Sequence, residues 1–211
     1  LWISMIEILR SMDGYCFPRS LVPPGGHITD KNYPMIGLIY DGSPDAANVR
    51  AFLITKPIDT SLGPHYVSLM SAKGKIANLQ SASAPRAELY GVFMASQLYS
   101  HLKSASPIYI SDYIVCGDSE TSIKYCKTSP SYFRPYESNL IRRIQEAICP
   151  SKIYHIDRKF NVADFGSALR DIISRDHLMR ECDPFFRLEK FDWPINGVRV
   201  SEVKLPNVLP S

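Results

Sequence analysis

The hydrophobic pattern of the chain changes period near Pro85, and this change restricts the folds that the chain can adopt. Ahead of that point lie three short runs rich in β-branched, aromatic and large aliphatic residues, at Met35–Asp41, Val49–Thr55 and His65–Lys73. Each run is bounded by Gly, Pro, Asp or Asn, as strands commonly are. Three such strands in succession predict an antiparallel meander.

Beyond Pro85 the pattern is that of helices alternating with strands. Apolar residues recur every few positions between Leu89 and Leu102, which predicts a helix of about five turns. The elements predicted next are a strand, two helices, a strand and a helix, at Pro107–Gly117, Ser119–Lys127, Tyr136–Ile148, Ile153–Ile156 and Asn161–Ile173. Because β-α-β crossovers are right-handed, this order predicts an α/β fold. Its mixed sheet would have five strands, three antiparallel and then two parallel, flanked by helices.

Length and composition exclude several classes of protein. With 211 residues, 45% of them hydrophobic, the chain is neither a disordered nor a fibrous polymer. No apolar run approaches the roughly 20 residues that span a bilayer, and the first residues lack a signal-peptide pattern, so we expect a soluble intracellular protein without a membrane partner. Five cysteines without a C-x-x-C pair argue against a disulfide framework and a zinc site. A net charge of +3 does not by itself indicate nucleic-acid binding.

The chain is predicted to hold one domain with a further segment at each end. Residues 1–32 include Pro23–Gly26, which neither a helix nor a sheet ladder accommodates for long, so we expect a connecting segment. Residues 33–175 contain the predicted strands and helices and are expected to form the domain. Residues 176–211 are expected to be a C-terminal extension or a linker.

Four carboxylates lie at the ends of predicted strands or at the starts of predicted helices. Asp41 ends the first strand and Asp118 follows the fourth, so the two converge if these strands are neighbours in the sheet. Glu88 and Asp164 fall in the first turns of two helices. There each one alone is explained by the helix dipole, which is worth about 0.3 to 1 kcal/mol.

Taken together, the four acids would surround one edge of the sheet with oxygen ligands. Hard oxygen donors without nitrogen or sulfur favour Mg²⁺ or Mn²⁺ over zinc. Four carboxylates repel one another unless cations are bound. The pattern therefore predicts two divalent ions about 4 Å apart, an arrangement suited to in-line displacement at phosphorus.

The segments around these acids are Asp41–Ser43, Ser83–Leu89, Gly117–Ser119 and Asn161–Ser167. In order, spacing and flanking residues they resemble the ribonuclease H domain of LTR retrotransposon polyproteins, especially those of the BEL/Pao class. The resemblance implies a ribonuclease H-like fold and a metal-dependent endonuclease that cleaves the RNA strand of RNA·DNA hybrids during reverse transcription. It implies two Mg²⁺ ions, for which Mn²⁺ can substitute.

The same resemblance implies particular residues and partners. The acids that it assigns to catalysis and to metal binding are Asp41, Glu88, Asp118 and Asp164. The side chains expected to contact nucleic acid are Ser43, Arg86, Ser119, Arg158 and Lys159. The reverse transcriptase domain of the same polyprotein would precede residues 1–32, and the protein would lie in the cytoplasm, including virus-like particles there.

One departure and two alternatives bear on this interpretation. Many cellular ribonucleases H carry a histidine in the loop before the last acid, but Asp157–Phe160 contains none, and we interpret His155 as an ordinary strand residue. The first alternative is a weak or inactive ribonuclease H-like module that tethers neighbouring domains, although loss of acids would mark such a module. The second is an integrase or transposase, whose usual third acid is a glutamate on a late helix, where Glu146 is the obvious candidate.

Overall fold

The computed structural model describes residues 10, 21–22, 34–57, 64–76, 83–164 and 185–196. In chain order its strands and longer helices are β1 (Met35–Gly42), β2 (Ala46–Thr55), β3 (Tyr66–Ile76), α1 (Ala84–Ala105), β4 (Asp112–Gly117), α2 (Glu120–Lys127), α3 (Pro135–Ala147), β5 (Ile153–Ile156) and β6 (Ile195–Asn196). The strands form one sheet in the order β3-β2-β1-β4-β5-β6. No helix among the described residues is both long and apolar enough to cross a membrane.

The predicted fold class is confirmed. β1, β2 and β3 pair antiparallel as a meander, and β4 and β5 join parallel on the other side of β1. The number of strands differs from the prediction, because β6 pairs antiparallel with β5 and makes the sheet six-stranded. A strand of two residues has no hydrophobic period by which it can be recognised in the sequence.

Most element boundaries differ from the predictions by one to three residues, and the starts of β4 and α1 differ in ways that matter for the site. β4 begins at Asp112 instead of Pro107 because its partner strand begins at Met35, which pairs with Asp112, so earlier residues have no ladder to join. α1 begins at Ala84, which places Glu88 in the second turn of the helix and not in the first. Of the predicted last helix, residues 161–164 are described, and among these only Asp164 is helical, so the helix begins later than predicted; the rest of it lies outside the described residues.

The two faces of the sheet are covered by different structures. Because side chains alternate along a strand, Leu38 and Tyr40 of β1 face one layer and Ile39 faces the other. The first layer consists of α1, α2 and α3, whose buried residues form the larger core cluster, among them Leu89, Val92, Ile123, Ile141 and Ile144. The second cluster includes Phe52, Ile114, Ile156, Phe185, Phe186 and Trp193.

Residues 185–196 belong to the segment that was predicted to be an extension, and they pack on the sheet. Phe186 is fully buried and Trp193 is nearly so. The indole Nε1 of Trp193 donates a hydrogen bond to the carbonyl of Leu188 at 3.0 Å, which holds the ring against the preceding turn of the same segment. The domain boundary at residue 175 stays a prediction.

Candidate metal centre

Asp41 and Asp118 lie at the carboxyl ends of two neighbouring parallel strands. β1 and β4 pair in register from Met35 with Asp112 to Ile39 with Cys116. The residues that follow these paired positions therefore emerge at the same edge of the sheet, where parallel strands place ligand sites. Asp41 is only 5% exposed, so its charge requires a partner.

Glu88 reaches the same edge from α1, and Gly42 permits this close approach. A Cβ atom at position 42 would lie 2.3 Å from the carbonyl oxygen of Ala87, so only glycine allows α1 to pack this tightly on the end of β1. The backbone N–H of Gly42 also donates a hydrogen bond to the Glu88 carboxylate. β1 thus supplies Asp41 and also orients Glu88.

The three acids come within the reach of a single cation. One oxygen from each of Asp41, Glu88 and Asp118 lies within 4.8 Å of the other two. The Oε2 atom of Glu88 is buried and has no hydrogen-bond partner. Burial, followed by the charges of Asp41 and Asp118, raises the pKa of Glu88 to about 9.

This donor set fits a hard divalent cation. All three side chains offer oxygen, and a bound ion would both offset the repulsion between them and satisfy the buried oxygen of Glu88. Without a cation, a proton on Glu88 lowers the repulsion between the three acids and removes the charge from its buried oxygen. The cluster is therefore able to bind a metal ion.

Asp164 lies beside this cluster but outside the group of three. The guanidinium of Arg158 holds both of its oxygens, with Nε to Oδ2 and Nη2 to Oδ1 each at 3.1 Å. The charge of Asp164 still contributes to the raised pKa of Glu88, although less than Asp41 and Asp118 do. The place of Asp164 among the ligands stays a prediction.

The serines and the lysine that were predicted to contact nucleic acid make local contacts in the protein. Ser43 Oγ donates to the carbonyl of Ala46 at 3.2 Å in the turn between β1 and β2. Ser119 caps α2, accepting from the N–H of Ser122 at 3.3 Å. Lys159 is 68% exposed and therefore available to a ligand.

Arg86, a fourth predicted contact, joins α1 to α3. Its Nε donates to Oε1 of Glu137 at 2.7 Å, and the Glu137 side chain is fully buried. The guanidinium also lies over the ring of Tyr136, 5.0 Å from the centroid. Arg86 is thereby held in one orientation while 30% of its side chain stays exposed.

The sequence matches the model of a known protein family. A family model described as the Pao retrotransposon-like RNaseH-like domain matches residues 1–119 of the 211. The chain belongs to this family. The predicted resemblance is confirmed, and the matched part of this Pao ribonuclease H-like domain contains Asp41, Glu88 and Asp118 and ends before Asp164.

The similarity of this chain to individual known proteins is low. Among solved structures, the Pao domain is similar to RNase H1 from the halophilic archaeon Halobacterium salinarum NRC-1, at 15% sequence identity and a TM-score of 0.39. That similarity covers 64% of this chain and 93% of the archaeal chain. No significant match was found among curated proteins.

Three polar residues near the acids of the Pao domain were not predicted to belong to its site. Asn161 was predicted only to stand at the start of the last helix, where asparagine commonly caps, but its Nδ2 donates to Oδ1 of Asp118 at 3.0 Å. Asn48 pairs in register with Asp41, at a position just before the predicted start of its strand. His155 places Nε2 3.1 Å from the carbonyl oxygen of Asp118. A polar residue inside or beside a buried strand is a signal that could have found Asn48 and His155, whereas Asn161 carries no such signal.

Glu146, the acid that an integrase-like site would require, lies elsewhere. It is exposed on α3. The group of potential ligands found among the described residues does not include it. Within the part of the chain that the structure describes, the late-helix acid of such a site therefore has no counterpart next to Asp41 and Asp118.

Proposed function

We propose that this domain is a metal-dependent ribonuclease H, which cleaves the RNA strand of RNA·DNA hybrids during retrotransposon reverse transcription. The observation that supports the proposal is the convergence of Asp41, Glu88 and Asp118 from β1, α1 and β4 to within 4.8 Å. Membership of a retrotransposon ribonuclease H-like family favours a nucleic acid as substrate. A purely structural module would have no need to hold three mutually repelling acids together.

Asp41, Glu88 and Asp118 are the residues that would hold Mg²⁺, or Mn²⁺ in its place, and Asp164 is proposed as a fourth ligand. Bound divalent ions supply charge neutralisation and polarisation of the phosphate and the attacking water, with two ions expected from the number of acids. Glu88 would release its proton when the site is loaded, because the cation would replace the proton as the partner of its buried oxygen. Arg158 neutralises Asp164 until then.

The hybrid would be held by groups around this edge. We assign Arg86 to a phosphate, because Glu137 and Tyr136 hold its guanidinium in a fixed orientation with part of it exposed. The further proposed contacts are Ser43, Ser119, Arg158 and Lys159. Recognition of a 2′-hydroxyl would direct cleavage to the RNA strand. The reverse transcriptase domain of the same polyprotein is the proposed partner, since a linked polymerase raises the effective concentration of the hybrid.

The proposal is tested by incubating the protein with end-labelled RNA·DNA hybrid and Mg²⁺ or Mn²⁺. We expect cleavage of the RNA strand, no cleavage of a DNA duplex, and loss of more than about a hundredfold in rate for Asp118→Asn, since a metal ligand contributes several kcal/mol. Asp112→Asn is the matched control, because Asp112 begins the same strand at the opposite edge and pairs with Lys152 at 2.8 Å. Equal activity of wild type and Asp118→Asn would show that Asp118 is not a ligand.

The ion pair of Arg158 with Asp164 favours a second candidate function. If this pair persists when hybrid is present, the fourth acid is withheld and the domain acts as a tethering module between polyprotein segments. The test uses the wild-type domain joined to its polymerase domain. If this protein cleaves no hybrid with either Mg²⁺ or Mn²⁺, the result supports the tethering module and contradicts the nuclease.

A further inference from the structure

The amide of Asn161 connects the metal-binding acids to one another. It is 3% exposed, and its Nδ2 donates to Oδ1 of Asp118 at 3.0 Å and to the carbonyl of Tyr40 at 3.2 Å. The same nitrogen lies 3.5 Å from Oδ1 of Asp41. On its other side, Oδ1 of Asn161 accepts from the backbone N–H of Ala163 at 3.1 Å. Both polar atoms of the amide are therefore used.

A second buried amide holds the same turn from the opposite side. Asn48 is 7% exposed and is the register partner of Asp41 across the β1–β2 ladder. Its Nδ2 donates to the carbonyl of Ala163 at 3.3 Å. The N–H and the carbonyl of Ala163 are thus each fixed by an asparagine, and Ala163 immediately precedes Asp164.

We propose that Asn161 is a positioning residue for the metal ligands, an inference that rests on the proposed function. Its amide sets the spacing between Asp118 and Asp41, and through Ala163 it ties the turn that carries Asp164 to these two acids. Its contacts span more than 110 residues of sequence in the case of Asp41, so this link does not arise from local turn formation.

The chemistry of the amide suits this role better than that of other polar side chains. An amide is neutral, so it orients the carboxylates without cancelling the negative charge that attracts a cation, as Lys or Arg would. It offers two N–H donors, which three acceptors share, namely Asp118 Oδ1, the carbonyl of Tyr40 and the more distant Asp41 Oδ1, and one oxygen, which accepts from the backbone N–H of Ala163. Each carboxylate has about four acceptor positions, so a single hydrogen bond leaves the others for metal.

A cap alone would predict a different outcome from the positioning role. Capping a turn with Asn or Ser contributes to stability and does not alter the affinity for a cation. Loss of a group that orients metal ligands lowers metal affinity by about 10- to 100-fold. Metal affinity, measured without nucleic acid, therefore separates the two roles.

The test compares Asn161→Ser with Asn161→Ala, using isothermal titration with Mn²⁺ and urea unfolding in EDTA. Serine keeps an oxygen acceptor for the backbone N–H of Ala163 but removes both amide donors, and it remains a good cap if the alanine variant fails to fold. We expect a Kd for Mn²⁺ raised about 10- to 100-fold in Asn161→Ser, with a free energy of unfolding in EDTA that falls less than in Asn161→Ala, because serine keeps the bond to Ala163. Asn161→Ala should lose both affinity and stability.

Gln145→Ala is the matched control. The Gln145 amide donates to the carbonyls of Cys126 at 2.9 Å and Thr128 at 3.0 Å and contacts none of the acids. Its loss should lower stability and leave the Kd for Mn²⁺ within about twofold of the wild type. An Asn161→Ser protein that binds Mn²⁺ as tightly as the wild type overturns the inference, as does a wild type that binds no Mn²⁺. A wild type that binds Mn²⁺ but cleaves no hybrid contradicts the nuclease alone, because the comparison of Kd values still decides the role of Asn161.

Discussion

The two faces of the sheet meet at the acidic edge, but they reach it with different kinds of structure. On one face, α1 packs closely on the end of β1 and delivers Glu88. On the other face, Ala163 is buried in the cluster that contains Phe185, Phe186 and Trp193, and it carries the turn that leads to Asp164. The layer on the first face consists of regular helices and the layer on the second consists of short irregular segments, yet each layer brings an acid to this edge of the sheet.

The difference shows in how stabilisation is distributed. The helical face buries many medium-sized side chains, so each one contributes a modest share. The aromatic face depends on few large rings: the centroid of Phe186 lies 4.4 Å from that of Phe185, 5.2 Å from that of Trp193 and 6.0 Å from that of Phe52. We therefore expect the helical face to respond to pH and cations, through Glu88, and the aromatic face to respond to loss of single rings.

The largest expected effect is the dependence of stability on pH, which arises on the helical face. The pKa of Glu88 is raised to about 9 in the folded protein, well above its ordinary value of 4.5, so the folded state holds a proton that the unfolded state releases. In EDTA the free energy of unfolding should fall by up to several kcal/mol as the pH rises from about 4.5 to 9. Glu88→Gln should remove most of this fall in urea unfolding.

Saturating Mn²⁺ provides the counterpart of that experiment. At pH 8 it should stabilise the wild type through binding to the folded state, and stabilise Glu88→Gln much less. If the free energy of unfolding of the wild type in EDTA depends on pH as little as that of Glu88→Gln, the buried environment assigned to Glu88 is contradicted.

The second largest effect is expected on the aromatic face. Phe186→Ala should lower the free energy of unfolding by about 3–5 kcal/mol, because a fully buried ring is lost and its neighbours cannot close the space. Leu188→Ala is the control from the same segment, since its side chain is 47% exposed and should matter by less than about 0.5 kcal/mol. Similar losses for the two variants would mean that this segment does not cover the sheet in solution.

The third effect belongs to the helical face and concerns its buried charge. Arg86→Met should destabilise by about 2–4 kcal/mol, because it leaves the fully buried carboxylate of Glu137 without its partner. Replacing both members, as in Arg86→Met with Glu137→Leu, should recover most of that loss. Urea unfolding of the two single variants and the double variant measures the coupling, and additive losses would contradict it.

The smallest effect tests the contact between β1 and the aromatic segment. A Cβ at Gly37 would lie 2.5 Å from Cε2 of Phe186, so Gly37→Ala should cost about 1–3 kcal/mol through overpacking. Phe186→Leu in the same chain should recover part of this loss by making room. Gly74→Ala is the control, because a Cβ there meets nothing within 4 Å. If Gly37→Ala lowers the free energy of unfolding equally with and without Phe186→Leu, the two positions are not in contact.

The helical face and most of the sheet could be predicted because each element carries its own signal. A buried strand that stops on a carboxylate is visible in the local sequence, and this signal led to Asp41 and Asp118. The parallel pairing of β1 with β4 then brings the two acids together, as predicted. Glu88 was singled out by a different signal, its place at the start of a predicted helix, although α1 begins earlier than predicted and puts it one turn further in.

The aromatic cover and the asparagine contacts could not be predicted from local pattern. Phe185 and Trp193 lie in a segment with no hydrophobic period, so nothing in the sequence around them indicates which surface they cover. Asn161 has a sufficient local explanation as a cap, and its bonds to Asp118 and Asp41 depend on packing between elements more than 40 residues apart. Long-range hydrogen bonds leave no spacing rule in the sequence.

The position of β6 and its aromatic neighbours limits where the chain can be cut without loss of the cover on one face of the sheet. A proteolytic cut between Asp164 and Phe185 would leave every acid discussed above on the upstream product, yet that product would lose the rings that shield one side of its sheet. Separation that preserves this shield has to occur downstream of Asn196. Cleavage sites that leave the domain intact are thus constrained by tertiary packing as well as by the location of the acids.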